Sequence, residues 1–392
     1  MIAVVADDFT SAAELAGVGL RYGLNGQVQT EVNLDSRADL LVIDTDTRTR
    51  PPQEAAVKVE KVLKQLQKIP SEWIYKKVDS VLRGPVVAEL QAVLTALGKD
   101  RIILVPANPS SGREIRRGHY FINDKPIDKT DFASDPEYPA HSSDVLTMLG
   151  PTGPLPICVL NLKQAIPATG IAVGEVSSKA DLTTWAKRCD SRTVPAGVAE
   201  FFAALLEVRG FRLKISESQD ESSQPKTVLF VCASNSCYSH KAVEEARSRG
   251  LLVSKMPPEL WQIGNLTNEL LQQWTDDTIS ALGQHPQVIV TVNRPIGPNP
   301  TPARKLCNYI TVLVENVLNQ TSIDELYIEG GATASAVVRR LRWKRFFPCR
   351  ELAPGVVRMR VEEEPNCRLT VKPGSYRWPE KIWPREPSKT DT

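Results

Sequence analysis

The sequence predicts an α/β protein of two domains, each a mostly parallel sheet with flanking helices. At 392 residues the chain is too long for one ordinary hydrophobic core. In its first half, short apolar runs alternate with amphipathic stretches of helical period, which is typical of βαβ units. Residues 216–226 include no aliphatic or aromatic side chain, which indicates a linker. We therefore expect domains over residues 1–215 and 227–392, joined by a linker at residues 216–226.

Composition and charge argue against several other classes of protein. Hydrophobic residues make up 42% of the chain and charged residues 24%, as in globular proteins. The net charge of +2 gives no bulk attraction to nucleic acid or membrane. The seven cysteines form no CxxC pair, which argues against a structural zinc site, and their odd number argues against a disulfide framework. Because we find no signal peptide and no apolar run near the ~18 residues of a membrane helix, we expect a cytoplasmic protein.

The first predicted strand, residues 2–6, ends at two carboxylates, Asp7 and Asp8. Ser11 and Glu14 then have the spacing of a capping box, which opens an apolar-periodic helix that ends near residue 23. Open α/β sheets bind ligands at such strand ends, beside helix N-termini. Acids at this place can bind a metal or take a proton from a hydroxyl. The alternative is that one of the two aspartates only caps the helix.

A second polar strand end follows further along the first half. Strands are predicted at residues 39–44, 73–78 and 101–105, and helices at 51–69 and 86–97. Successive side chains of a strand point to opposite faces, so Lys77 and Asp79 lie on one face of the strand that begins at residue 73. Ser80 and Arg83 follow within a few residues. Such a set suits a ligand with a carboxylate and several hydroxyls, and Arg83 offers a planar fork for the carboxylate. The alternative is a surface ion pair between Lys77 and Asp79.

Two further arginines extend this positive crevice. Arg48 follows the second predicted strand and Arg113 follows the fourth. From Arg113, residues 113–144 are polar and rich in turn-forming residues, with a hairpin predicted at 119–124. We expect a long functional loop here, because long ordered loops in compact domains tend to carry function.

In the second half, three turns of small residues follow predicted strands. Strands are predicted at residues 227–232, 287–293 and 325–328, with paired strands within 356–372 and helices at 239–249, 303–319 and 333–341. Gly330 and Gly331 let the backbone approach a phosphate, and we expect Thr333 to cap the helix whose N–H groups would bind it. Ser234 and Gly374 lie in the other two turns. A Gly-Gly turn alone is more often structural, but three such turns favour nucleotide binding, without the GxxxxGK[ST] of a P-loop.

The order of these motifs resembles that of the four-carbon acid sugar kinase family. These are two-domain enzymes that phosphorylate threonate- or erythronate-like acids with ATP. The segments that carry the resemblance are Ala6-Asp7-Asp8-Phe9-Thr10, residues 77–84, Gly112-Arg113, Gly118-His119-Tyr120, Asp135-Pro136, Ala233-Ser234, Gly330-Gly331-Ala332-Thr333 and Lys372-Pro373-Gly374. The resemblance implies a small acid sugar and ATP as ligands, with Mg²⁺ as cofactor. The sequence leaves a homodimer open.

The motifs and the resemblance together assign roles to individual residues. We expect Asp8 to be the base for the acceptor hydroxyl, or else the group that orients it. The expected substrate-binding residues are Asp7, Arg48, Lys77, Asp79, Ser80, Arg83 and Arg113. The expected nucleotide-binding residues are Ser234, Gly330, Gly331, Ala332, Thr333 and Gly374, and no residue is assigned to the metal. The resemblance implies an active-site cleft between the two domains. Phosphoryl transfer needs mainly positioning and charge neutralisation, and closure of this cleft would exclude water.

The chain departs from the family pattern mainly in its second half. Family members usually have glycine at the positions of Ser11, Ala233 and Ser335, and an acid at that of Ala332. An added Cβ hinders the backbone where it must approach a phosphate. One alternative is therefore an acid-sugar-binding protein whose phosphotransfer is weak or lost. Another is a metal-dependent hydrolase that uses Asp7, Asp8 and Asp79, although only four histidines are present as further ligands.

Overall fold

The structure is a computed structural model that describes residues 1–135, 138–150, 153, 155–214, 225–233, 237–262, 268–292, 303–374 and 376–383. The chain divides into two compact units, Met1–Ser216 and Glu217–Thr392. Both units are α/β with mostly parallel strand pairing, as the sequence predicts. Most of the predicted linker, and the turn residue Ser234, lie outside the described residues.

The first unit contains most of the predicted strands and helices, within a few residues of their predicted ends. Its strands are Ile2–Ala6 (β1), Gly26–Gln29 (β2), Leu40–Asp44 (β3), Trp73–Lys77 (β4), Arg101–Val105 (β5), Arg113–Arg116 (β6), His119–Ile122 (β7), Lys125–Pro126 (β8), Ile157–Leu160 (β9), Gly170–Gly174 (β10) and Thr193–Gly197 (β11). Its helices are Phe9–Arg21 (α1), Pro52–Leu66 (α2), Val86–Leu97 (α3), Val145–Leu149 (α4), Lys179–Lys187 (α5) and Ala199–Val208 (α6).

The main sheet of the first unit is parallel, in the order β2-β3-β1-β4-β11-β5-β10-β9. Strands β1, β3 and β5 are apolar for most of their length and almost wholly buried, as expected for strands covered on both faces. The register pairs Ala6 with Asp44, and Val5 with Lys76. The residues that follow β1, β3 and β4 therefore leave the sheet at one edge.

Residues 113–144 are more regular than the long loop that the sequence predicts. They contain a small antiparallel sheet of β6, β7 and β8. Its two hairpin turns have positive φ at both central residues, Arg117-Gly118 and Asn123-Asp124. Such turns match the twist of the strands that they join, and glycine, asparagine and aspartate favour them.

Helix α1 begins two residues before the predicted capping box. Its N-cap is Asp8, whose Oδ1 accepts a hydrogen bond of 2.7 Å from the backbone N–H of Ser11. The capping box at Ser11 and Glu14 was a wrong prediction, because aspartate is an equally good N-cap and lies closer to the end of β1. The Ser11 hydroxyl is thereby left for other partners.

The second unit repeats the α/β alternation. Its strands are Val228–Cys232 (β12), Leu252–Lys255 (β13), Gln287–Thr291 (β14), Glu325–Glu329 (β15), Arg345–Ala353 (β16), Val356–Val361 (β17) and Arg368–Lys372 (β18). Its helices are Cys237–Ser248 (α7), Pro258–Gln262 (α8), Asn268–Gln284 (α9), Ala303–Gln320 (α10) and Gly331–Arg340 (α11). The sheet order is β13-β14-β12-β15-β18-β17-β16, parallel as far as β18 and antiparallel beyond it.

Aromatic side chains cover one face of this second sheet. The rings of Phe230 and Tyr327 are stacked with centroids 4.5 Å apart, and Trp378 meets both edge-on. The segment that follows β18 thus closes the core of the second unit. In the described part of the chain, none of the helices has the length and apolar character that a membrane span needs.

Candidate functional site

Four side chains meet at the carboxyl ends of β1, β3 and β4 and form what we call the aspartate cluster: Asp7, Asp8, Arg48 and Asp79. Arg48 holds Asp7 with both arms of its guanidinium, from Nε to Oδ2 at 2.7 Å and from Nη2 to Oδ1 at 2.9 Å. Its Nη1 donates to Asp8 Oδ2 and lies 3.6 Å from Asp79 Oδ1. The Arg48 side chain is 15% exposed, and the three aspartates are more buried still. One cation therefore joins three buried carboxylates.

The electrostatics keep Asp7, Asp79 and Arg48 of this cluster ionised. Burial alone would raise the pKa of Asp7, but the charge and hydrogen bonds of Arg48 and the charges of Lys76 and Lys77 together outweigh it, so the pKa lies below its usual value. Burial likewise opposes ionisation of Asp79, and the charges of Arg83 and Arg48 bring its pKa far below the usual range. Burial disfavours the charged form of Arg48 too, but the aspartates more than offset this and raise its pKa. At neutral pH the site therefore presents fixed charges of both signs.

Lys77 brings a second cation to the N-terminus of α1. Its Nζ donates to Ser11 Oγ at 3.1 Å and lies 3.5 Å from a carboxylate oxygen of Glu14. Ser11 Oγ also accepts a 3.0 Å hydrogen bond from Nη2 of Arg48, so this hydroxyl links the two cations. Sequence reasoning missed Ser11 as a site residue, because its spacing to Glu14 suggested a cap. The predicted alternative of a surface ion pair between Lys77 and Asp79 is wrong, since both side chains are buried and have other partners.

Arg83 is held tightly by acids of its own unit. Its Nε and Nη2 donate to the two oxygens of Asp79 at 3.0 and 2.9 Å, and its Nη1 donates to Asp135 at 3.1 Å. The loop that presents it is strained, with Leu82 at φ 62°. Gly84 has φ +87°, and a Cβ there would lie 2.7 Å from the Arg48 carbonyl oxygen. Glycine at position 84 thus allows the two arginine-bearing loops to touch.

Arg113 enters the same edge of the sheet from β6. Its Nη1 donates to Ser80 Oγ, and its guanidinium lies 5.7 Å above the centre of the Phe132 ring. Tyr120 fixes this corner from β7, because its hydroxyl donates to the Ser80 carbonyl at 2.5 Å. A guanidinium has five N–H donors, and among the described residues Ser80 alone accepts one from the Arg113 side chain. Among the described residues, Arg113 is thus the arginine of this edge with the fewest donors accepted by protein groups.

A buried ion pair that the sequence did not reveal lies beneath the cluster. Lys76 Nζ is 2.9 Å from Glu89 Oε2, and both side chains are at most 2% exposed. Burial raises the pKa of Glu89, with Lys76 opposing and Asp7 reinforcing this shift. The backbone N–H of Thr47 donates to the Asp7 carbonyl at 2.9 Å, which ties the Arg48 loop to the end of β1. Lys76 has the charge of a surface residue, so sequence alone gave no reason to place it in the core.

In the second unit, the predicted glycine turn joins β15 to α11. The predicted Thr333 cap is wrong: α11 begins at Gly331, and Gly330 is its N-cap with φ 92°, a conformation that costs glycine little. Thr333 is instead the third helical residue and is buried, whereas Ala332 is exposed. No described side chain caps α11, so its first N–H groups can bind an anion. Gly374 lies in the turn after β18, and Ser234 is outside the described residues.

Two family models match the chain, one within each of its two compact units. Residues 2–195 match the model described as a sugar-binding N-terminal domain, and residues 229–376 match a nucleotide-binding C-terminal domain. The chain is therefore of the class in which a sugar-binding domain precedes a nucleotide-binding domain.

Individual relatives place it more closely. The D-threonate kinase of Salmonella typhimurium is 27% identical over 387 residues, covering 90% of this chain and 89% of the relative. The 3-oxo-tetronate kinase of Pseudomonas fluorescens is 24% identical over 414 residues, covering 96% and 94%. A solved Salmonella typhimurium structure has the same fold, with a TM-score of 0.74 and 18% identity over 96% of each chain. The chain belongs to the four-carbon acid sugar kinase family.

Proposed function

We propose that this protein transfers the γ-phosphoryl group of ATP to a hydroxyl of a four-carbon sugar acid. The observation that carries the proposal is the aspartate cluster, which sets three fixed carboxylates beside Lys77 and Arg113 at one sheet edge. The carboxylates suit the hydroxyls of such an acid, and the cations suit its carboxylate and the transferring phosphoryl group. Relatives named for D-threonate, D-erythronate and 3-oxo-tetronate support this substrate class.

Asp8 is our candidate for the group that receives the proton of the acceptor hydroxyl. Its carboxylate is held at the start of α1 by the N–H of Ser11 and by Arg48, which fixes its position before a substrate arrives. A base must lie within hydrogen-bond reach of the proton that it takes, and such preorganisation keeps it there. Lys77, held by Ser11, is placed to offset negative charge as it develops nearby.

We propose Arg113 as the main contact for the sugar acid's carboxylate. The sequence favoured Arg83 for this role, but the Arg83 guanidinium already binds Asp79 and Asp135. Arg113 keeps donors that no other described residue accepts and is backed by Phe132, a setting in which a bidentate pair to a carboxylate can form. Arg83 then supports the site by holding Asp79.

The nucleotide phosphates are proposed to bind the second unit at the N-terminus of α11 and the turn that contains Gly374. The N–H groups at the start of α11 have no side-chain cap and can donate to a phosphate. Glycine has no Cβ, so the backbone at Gly330 can approach the phosphate closely. Mg²⁺ usually keeps several waters and binds one or two carboxylates together with substrate phosphates. Among the described residues, no group of three or more His, Cys, Asp or Glu is placed to hold a metal by itself. When bound, the ion would neutralise charge on the phosphates.

The direct test is a coupled assay of ADP formation by the full chain with ATP and Mg²⁺. D-threonate, D-erythronate and 3-oxo-tetronate are offered as acceptors, with six-carbon aldonates as controls. We expect ADP formation that depends on a four-carbon acid. Calorimetric binding of the acid without ADP formation would favour the alternative of a binding protein that has lost phosphotransfer.

Arg113→Ala should weaken binding of the sugar acid without affecting ATP binding. The lost charge-assisted pair is worth about 1.5–3 kcal/mol, which is on the order of tenfold or more in Kd. Arg116→Ala is the matched control, because Arg116 lies on the same strand and stacks on Phe121 but is 41% exposed. Calorimetric titration of both variants measures the difference. Equal affinities for the acid in the two variants would remove Arg113 from the site.

Ser335→Ala in α11 should stabilise the protein. Ser335 is 2% exposed, and its hydroxyl has no partner among the described residues. A buried unpaired hydroxyl is destabilising, so its removal should raise the free energy of unfolding by about 1 kcal/mol. Ser335→Gly removes the same hydroxyl but should be roughly 0.5–1 kcal/mol less stable than Ser335→Ala, because glycine in a helix costs this much relative to alanine. Thermal melting of both variants tests this.

The glycine variant also tests the departure from the family pattern. Because Ser335 is packed inside the second unit rather than facing a phosphate, we expect Ser335→Gly to leave ATP affinity unchanged. Tighter ATP binding by this variant would mean that the added side chain obstructs the nucleotide.

A further inference from the structure

Three neighbouring side chains form a row at the carboxyl end of the second sheet. The register pairs Cys232 with Glu329, and Glu329 with Lys372. Each of the three is at most 2% exposed. Lysine and glutamate are almost never buried so deeply unless they are paired, and Lys372 Nζ lies 3.1 Å from Glu329 Oε2. The lysine of the Lys372-Pro373-Gly374 motif therefore points into the protein.

The remaining donors of Lys372 bind the turn that follows it. Nζ donates to the carbonyl oxygens of Tyr376 at 2.8 Å and Pro373 at 3.3 Å, and lies 5.1 Å above the Trp378 ring. The turn is closed by a 3.1 Å hydrogen bond from the N–H of Tyr376 to the Pro373 carbonyl. An ammonium group has three donors and can satisfy these acceptors and Glu329 together. Lys372 thus holds the turn that contains Gly374 from beneath.

The same residue is bonded to the other glycine turn. The backbone N–H of Gly330 donates to the Lys372 carbonyl at 2.9 Å, and Glu329 immediately precedes Gly330. The Glu329–Lys372 pair therefore fixes the spacing between the start of α11 and the turn after β18. The second oxygen of Glu329 has no partner among the described residues, so the pair is not optimised for stability.

We propose that the buried Glu329–Lys372 pair is a positioning device for the nucleotide, which holds two phosphate-binding turns at a fixed separation. This rests on the proposed function, in which those turns bind ATP. Neither side chain touches the nucleotide. A buried ion pair is a weak source of stability compared with apolar residues of similar volume, whereas it can hold several acceptors in one geometry.

The test compares two ion pairs at opposite ends of the same strand. The test variant is Lys372→Met/Glu329→Gln, which leaves no unpaired charge, and Glu329→Gln alone is a milder second variant. The control is Arg358→Met/Glu325→Gln, since Arg358 holds Glu325 at the start of β15 with hydrogen bonds of 2.6 and 2.8 Å. All are made in the full chain. Thermal melting, calorimetric titration with ATP, and the KM values for ATP and the sugar acid are measured for each.

We expect the test variant to raise the Kd and KM for ATP about ten- to a hundredfold, with the KM for the sugar acid unchanged. Glu329→Gln should show a smaller rise in the same direction, because its amide oxygen still accepts from Lys372. The control should lose melting temperature but keep its ATP affinity. The proposal is overturned if ATP affinity is unchanged in both Glu329 variants, or falls equally in the control. Failure of the unaltered chain to bind ATP would instead reject the proposed function.

Discussion

Asp8→Asn should reduce kcat by about 10²–10⁴-fold, the usual loss when a general base is removed. Asparagine caps a helix as well as aspartate does, so the bond to the N–H of Ser11 and the start of α1 should survive. The amide cannot accept a proton from the acceptor hydroxyl. We therefore expect the sugar acid and ATP still to bind while turnover is lost, measured by ADP formation and by calorimetry.

A nearby aspartate gives the matched control for this variant. Asp46 lies in the same loop as Arg48, pairs with the exposed Arg50 and has φ 45°, a conformation that asparagine tolerates. Asp46→Asn should leave kcat unchanged. If Asp8→Asn also retained turnover within a factor of about three, Asp8 would be a cap and an orienting group rather than a base.

Arg48→Met should be the most destabilising of the substitutions proposed for the first unit. It leaves Asp7, Asp8 and Asp79 buried without the cation that joins them. Removing one partner of a buried ion pair costs about 3–5 kcal/mol in the free energy of unfolding. Arg50→Met is the control, because its partners Asp46 and Glu54 are more exposed and such pairs contribute only about 0–1 kcal/mol. Urea unfolding of both variants measures the difference.

The pH dependence of this loss has a definite sign. Burial raises both pKa values, but Arg48 helps to bring that of Asp7, and Arg83 with Arg48 that of Asp79, below the usual value of 3.8 in the folded protein. The stability that this provides is present above pH 3.8 and declines as the pH falls below it. The difference in the free energy of unfolding between wild type and Arg48→Met should therefore become smaller as the pH falls below 3.8. If this difference in the free energy of unfolding did not change with pH, Arg48 would act through packing alone.

The sequence was most informative where a local pattern had one physical solution. The apolar run of β1 ends at Asp7 and Asp8, and strand ends of a parallel sheet share one edge, so these acids could be placed beside Lys77 and Asp79 without coordinates. The strands and helices of the βαβ alternation follow from the same reasoning. The roles of Asp7, Asp8, Lys77 and Asp79 in binding and catalysis remain predictions.

Contacts between distant segments were beyond this reasoning. Arg48 and Asp7 are 41 residues apart, and nothing local indicates that one guanidinium holds three aspartates. Two lysines, Lys76 and Lys372, are buried and paired, which nothing in the local sequence indicates. The predicted caps at Ser11 and Thr333 were wrong because several residues nearby suit a cap, and the tertiary position of the strand end selects Asp8 and Gly330 among them.

The small sheet of β6, β7 and β8 belongs to a different segment of the chain from the aspartate cluster. The aspartate cluster is built by the parallel sheet, whereas Arg113, Phe132 and Tyr120 belong to one continuous insertion between β5 and β9. The insertion meets the rest of the site at three points: Arg113 and Tyr120 bond Ser80, Asp135 accepts from Arg83, and the Tyr138 hydroxyl donates to the Arg48 carbonyl. We therefore expect that grafting residues 113–135 from a relative, with Asp135 kept, would transfer the relative's preference among acids and leave the aspartate cluster in place.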